Sequence, residues 1–169
     1  MSNVTAPAKY LLDTLWGAAM VSQDAYYSGA SWEYVGQNLT PGLSLFTSLS
    51  HPWGGAPSYL LTDYIAGIRP VTPGYKTWTL VPGIYGFNLT YAKATVPTLY
   101  GPLSVKWSLG KKGKLTVNVK APEGTSGTLE LPGGARVSVI SVNKRDNGAA
   151  TVKTKIQLGG GESEVVVQV

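Results

Sequence analysis

Apolar positions follow a helical period near the start of the chain and a period of two from residue 76 onward. In residues 7–20 (PAKYLLDTLWGAAM), Leu11, Leu12, Leu15, Trp16 and Met20 share one stripe, which predicts an amphipathic helix. A second helix is predicted over 57–67. Pro57 suits a first helical position, Leu60, Leu61, Tyr64 and Ile65 follow at helical spacing, and Gly67 and Pro70 stop it. Between them lies an irregular stretch, 21–54, rich in Gly, Ser and aromatic residues, with Thr40-Pro41-Gly42 as a turn signal.

After Pro73-Gly74 the alternation predicts strands at 76–81, 87–95, 102–109, 114–120, 127–131, 136–142, 151–158 and 163–169. The turns expected between them are Leu109-Gly110, Pro122-Glu123-Gly124, Pro132-Gly133-Gly134, Asn147-Gly148 and Gly159-Gly160-Gly161. Seven or eight short antiparallel strands at this spacing predict a β-sandwich. The expected fold is therefore mainly β: an antiparallel β-sandwich (71–169) preceded by a short two-helix segment with an aromatic, Gly-rich loop (1–70). Two helices cannot bury their apolar stripes alone. They must pack on the sandwich, belong to a larger helical body, or pair with a second copy. The last option makes a homo-oligomer through exposed helices one expectation.

Composition narrows the function classes. Of the 169 residues, 43 % are hydrophobic, with five Trp and ten Tyr, enough for a packed core rather than a disordered chain. No cysteine is present, which excludes disulfides and thiolate chemistry and leaves the redox compartment open. No apolar run approaches the roughly 20 residues of a membrane span, so no membrane span is expected. The first ten residues lack the apolar core of a signal peptide. Three Asn-x-Thr sequons, beginning at Asn3, Asn38 and Asn88, fit a secreted, extracellular glycoprotein.

Charge is uneven: residues 1–68 carry a net −3 and residues 69–169 a net +8. The basic half does not read as a nucleic-acid surface, because its lysines are scattered singly through strand-like segments. Only Lys111-Lys112-Gly113-Lys114 is clustered, at an expected hairpin turn. Solvent-facing strand positions and lysine-protected edges account for the rest.

Local sequence alone gives the candidate chemistry ordinary explanations as well. Glu33 reads as a solvated or capping glutamate in a loop, and His51 as a cap on the turn before Pro52. Trp32 and Trp53 are core aromatics as readily as sugar platforms. His51 is the only histidine, so a His-cluster metal site is excluded. Gly54-Gly55-Ala56-Pro57 lacks the Lys-Ser/Thr of a phosphate loop. Neither a metal nor another cofactor is expected.

A collinear set of motifs changes this picture. In order, it comprises Leu15-Trp16-Gly17, Ala30-Ser31-Trp32-Glu33, Ser48-Leu49-Ser50-His51-Pro52-Trp53-Gly54-Gly55-Ala56-Pro57, Tyr64-Ile65-Ala66-Gly67-Ile68-Arg69-Pro70, Pro73-Gly74-Tyr75-Lys76-Thr77-Trp78 and the strand pair around Ala94–Thr98 and Gly101–Trp107. Over residues 10–108 the set resembles the C-terminal part of family 78 glycoside hydrolases, the inverting α-L-rhamnosidases. In these enzymes an (α/α)6 barrel is followed by a β-sandwich.

The resemblance implies that Glu33 is the position of the general base, and that His51 and Trp53 contact sugar, with Trp32 as an apolar wall beside the carboxylate. Inverting hydrolysis needs a second carboxyl group about 6.5–9.5 Å away to protonate the leaving oxygen. The family's general acid and most of its rhamnose-binding residues lie on earlier barrel helices, and nothing in this sequence corresponds to them. The implied partner is carbohydrate, a rhamnoside-type glycan, with half of an acid–base pair present and no catalysis by this chain alone. A stand-alone lectin-like protein and a self-associating structural protein are the alternatives.

Overall fold

A computed structural model describes residues 5–22, 25–43, 46–131, 137–143, 145–153 and 155–169. Asp24, the sequon at Asn3 and the turn expected at Pro132–Gly134 lie outside the described residues. The chain divides into two compact units, Met1–Leu60 and Leu61–Val169.

In the first unit, helix α1 (Thr5–Tyr10) continues in π-helical hydrogen bonding over Leu11–Val21. An ion pair between Lys9 and Asp13, one turn apart, supports the junction. Ala19 and Met20 are buried with Trp32, and Leu15, Trp16, Val35 and Leu49 pack around them. The predicted stripe is thus only partly covered within its own unit, where Leu11 remains 44 % exposed. The second helix, α2 (Ala56–Leu60), also runs on in π-helical register, over Leu61–Ala66, and the unit boundary falls inside it. No helix among the described residues is long and apolar enough to cross a membrane.

The described residues of the second unit form a β-sandwich of ten strands. One sheet contains, in spatial order, β1 (Ile68–Pro70), β2 (Thr77–Leu80), β6 (Ser126–Glu130) and β9 (Lys155–Leu158). The other has the order β3 (Tyr91–Thr98), β4 (Gly101–Leu109), β5 (Lys114–Ala121), β10 (Gly161–Gln168), β7 (Val137–Val142) and β8 (Arg145–Lys153). All pairings are antiparallel except β2 with β6. Alternate residues face the core: Leu103, Val105 and Trp107 on β4, Leu115, Val117 and Val119 on β5, and Trp78 and Leu80 on β2.

Trp78 lies opposite Gly127 across the parallel pair. A Cβ on Gly127 would come within 2.3 Å of the indole ring, so this glycine makes room for the tryptophan. Within the second unit, the π-helical turn Leu61–Ala66 is tied to the sandwich through the Ile65 carbonyl. Gly67 (φ +91°) donates to the Thr62 carbonyl as a helix-terminating glycine. The Ile65 carbonyl accepts from both Gly83 N–H (3.1 Å) and Trp107 Nε1–H (3.0 Å).

Several boundaries differ from the sequence reading. Strand β1, within the segment read as a helix stop, pairs with β2 through only three residues. Strand β3 spans 91–98 rather than 87–95. Gly86 and Asn88 have positive φ ahead of it, and Pro97 is tolerated because β3 is an edge strand. Asn147-Gly148, expected to be a turn, lies inside β8. The single strand expected at 151–158 is two, β8 and β9, in different sheets. The Lys111–Gly113 turn is as expected, with Lys112 and Gly113 both at positive φ.

Candidate functional site

The site residues lie in the first unit, on a segment that doubles back on itself. Glu33 N–H donates to the Ser48 carbonyl (2.8 Å) and His51 N–H to the Ser31 carbonyl (2.8 Å), so residues 31–33 run antiparallel to 48–51. A bridge between Val35 and Pro41 closes the intervening turn. There the Asn38 carboxamide oxygen accepts from Thr40 Oγ1 (2.8 Å) and Leu39 takes a positive φ. The Gly54 turn fits against Ser31 and Trp32 because it carries no side chain: a Cβ there would lie 2.6 Å from Ser31 Cβ.

Trp32 and Glu33, though adjacent, reach different surroundings. Trp32 is 2 % exposed and belongs to the core, edge-on to Tyr26 (6.2 Å between ring centroids). Its indole N–H has no partner among the described residues. Glu33 is half-buried, and its Oε2 accepts the Ser48 N–H at 3.0 Å. Each of these residues thus reaches a different environment from adjacent positions.

His51 caps the short 3-10 turn Pro52–Gly54, its Nδ1 accepting the Trp53 N–H at 3.4 Å. That contact places the proton of the neutral ring on Nε2. The Trp53 indole lies 4.2 Å from the imidazole, tilted by 35°, and its Nε1–H donates to the Glu33 carbonyl at 2.7 Å. Held in this way, Trp53 is still 69 % exposed. The fold therefore brings Glu33, His51 and Trp53 together, with Ser48 holding the carboxylate, and puts Trp32 beneath them. Ser48 opens the 48–57 motif, but its role is not legible there, since a backbone donor fifteen residues away leaves no spacing pattern.

Carboxylates elsewhere are engaged differently. Asp13 is exposed and paired with Lys9. Asp63, in the second unit, is half-buried. Burial pushes its carboxyl above the ordinary value, and the Arg69 guanidinium partly opposes this. Arg69 is fixed by donation from Nε to the Asp63 carbonyl (2.8 Å) and by stacking over Tyr64 (4.4 Å to the ring centroid). The Tyr75 phenol is pushed up by burial and then by the Asp63 carboxylate.

Comparison with known proteins gives this geometry a family context. Residues 67–146 match the family described as the bacterial α-L-rhamnosidase C-terminal domain. An α-L-rhamnosidase of Formosa agariphila is 35 % identical over 85 residues, which cover 50 % of this chain and 9 % of the relative. The α-L-rhamnosidase structure from Dictyoglumus thermophilum matches with a TM-score of 0.62 at 20 % identity, covering 82 % of this chain and 16 % of that one. The Streptomyces avermitilis α-L-rhamnosidase complexed with L-rhamnose matches with a TM-score of 0.54 at 24 % identity, over 72 % of this chain and 12 % of that one. These two structures show a shared fold. The chain spans about a tenth of the length of the relative it matches. The chain corresponds to a C-terminal part of an α-L-rhamnosidase-like protein, and residues 67–146 match the C-terminal domain of the bacterial enzymes.

Proposed function

We propose that the first unit contributes a sugar-contacting surface built from Glu33, His51 and Trp53, and that this chain binds carbohydrate without hydrolysing it alone. The observation that carries the reading is Trp53: a largely exposed indole fixed by its own N–H to the Glu33 backbone. Such a ring offers an apolar face to a sugar at little cost in side-chain freedom. The carboxylate oriented by Ser48 N–H supplies an acceptor, and the His51 Nε2–H a donor, for hydroxyl groups beside it.

The catalytic half of the reading follows from the same carboxylate. In inverting chemistry a base such as Glu33 activates water, and a separate acid must face it across the sugar. Among the described residues of the first unit the other carboxylate is Asp13, engaged by Lys9. The chain thus offers a base and a binding surface rather than a complete pair. A rhamnoside-type glycan is the ligand class, drawn from the relatives, and an extracellular location fits its sequons.

Calorimetric titration with an α-L-rhamnosyl oligosaccharide tests this. Trp53→Ala is expected to weaken binding at least about tenfold, while Glu33→Gln, which keeps an acceptor oxygen, retains most of it. Equal affinity for the Trp53→Ala variant and the parent chain would remove the basis for the reading.

A further inference from the structure

The solvent face of the six-stranded sheet carries a feature that the site around Glu33 does not use. Lys93 on β3 lies directly opposite Lys106 on β4, Lys106 opposite Asn118 on β5, and Asn118 opposite Glu164 on β10. All four are outward members of their strands' alternation, and they cross a shallow groove of about 570 Å³. At a strand spacing of about 4.8 Å the row is roughly 14 Å long, the length of a few sugar units.

Like charges directly opposite on a sheet are destabilising. The neighbouring row relieves its charge: Lys120 pairs with Glu162 at 3.2 Å, and Thr95 bonds Ser104 at 2.9 Å. Among the described residues, the Lys93 and Lys106 ammonium groups make no ion pair. Protection of an edge explains Lys93, since β3 is the edge strand, but not Lys106 one strand further in. An anionic group seated between the two ammoniums would turn their repulsion into two charge-assisted hydrogen bonds.

We propose that this row is a binding site for an acidic polysaccharide. Its carboxylate or sulfate group sits between Lys93 and Lys106, and neutral hydroxyls of the adjoining sugar reach Asn118 and Glu164. The polarity of the row argues for a polysaccharide over nucleic acid or an acidic peptide. Glu164 and the paired Glu162 repel a ligand with a charge on every unit, whereas they accept hydrogen bonds from sugar hydroxyls. Tyr91, two residues before Lys93 on the same face and 66 % exposed, adds an aromatic surface of the kind that stacks on sugar rings. The site stands independently of the surface around Glu33.

Affinity electrophoresis of the full chain at about 0.15 M salt against hyaluronate and κ-carrageenan, which carry a carboxylate or a sulfate on alternate sugar units only, and against neutral dextran tests the proposal. Retardation by at least one acidic polymer and none by dextran is expected, and the polymer that binds identifies carboxylate or sulfate as the group held. The double variant Lys93→Gln/Lys106→Gln should lose at least about tenfold in affinity. Lys111→Gln/Lys112→Gln, which removes the same charge from the β4–β5 turn, should lose little. Thermal unfolding of the first double variant checks that it folds, with a Tm at or above the parent's because a repulsion has gone. The Lys93→Gln/Lys106→Gln variant should bind the α-L-rhamnosyl oligosaccharide as the parent chain does, so failure here and failure at the Glu33 surface are separately visible. The proposal is overturned if no acidic polymer binds more tightly than dextran. It is equally overturned if both lysine double variants lose affinity alike, or if poly-glutamate binds as well as the polysaccharides.

Discussion

Neighbouring residues in this chain reach opposite fates through backbone geometry. Trp32 and Glu33 are adjacent, yet one is core and the other half-buried beside Trp53. The sequence does not mark this pair, because the segment that holds Glu33 through backbone hydrogen bonds, 48–51, lies beyond a turn of irregular composition. The motif at 48–57 was visible as a pattern, and the structural role of His51 as a cap was among its readings. What spacing did not reveal is that the Trp53 indole bonds the backbone of Glu33, an interaction set by tertiary contact alone. Gly127 is a second residue whose role depends on its partner across the sheet. Gly127→Ala should destabilise the sandwich by about 1–3 kcal/mol through overpacking against Trp78, measured as a shift in the denaturation midpoint. An unchanged midpoint would mean the indole moves aside freely.

At the scale of elements, helices and central strands were legible because each obeys one strong period. Strands β4 and β5 fall within a residue of expectation, since both alternate strictly between core and solvent. The failures lie where tertiary context overrides local signal. Strand β1 is too short to show a period, and Asn147-Gly148 continues a strand although the pair favours turns. No local signal marks the passage from one sheet to the other between β8 and β9.

The junction of α2 with β1 also carries a titrating group. The Asp63 carboxyl is raised in the folded state, chiefly by burial, so ionising it costs more in the folded protein than in the unfolded one. The penalty is absent below the unfolded carboxyl's range and develops as pH rises through the folded value. Asp63→Asn should therefore raise Tm at pH 7 and lose that advantage on acidification into the range where both carboxyls are protonated. The Arg69 bond to the Asp63 backbone survives the substitution. A gain in Tm that persists unchanged at low pH would assign the effect to something other than ionisation.

The whole molecule joins two units of different character. The sandwich has a continuous core from both sheets, while the first unit buries only Ala19, Met20 and Trp32 among its described hydrophobic residues and leaves Phe46 90 % exposed. The chain spans about a tenth of the length of the relative it matches. The change of period marks where helices give way to strands, after Ala66. The family came from the collinear motifs, whereas composition and charge only excluded alternatives. The central claim is that Glu33 is half of an acid–base pair in a chain that binds sugar without cleaving it. Release of the aryl group from an aryl α-L-rhamnoside by the purified chain, with Glu33→Gln alongside, tests this most directly. The account predicts no release above the Glu33→Gln control. Turnover by the parent chain that disappears in Glu33→Gln would contradict it, because a second carboxyl group would then be completing the pair.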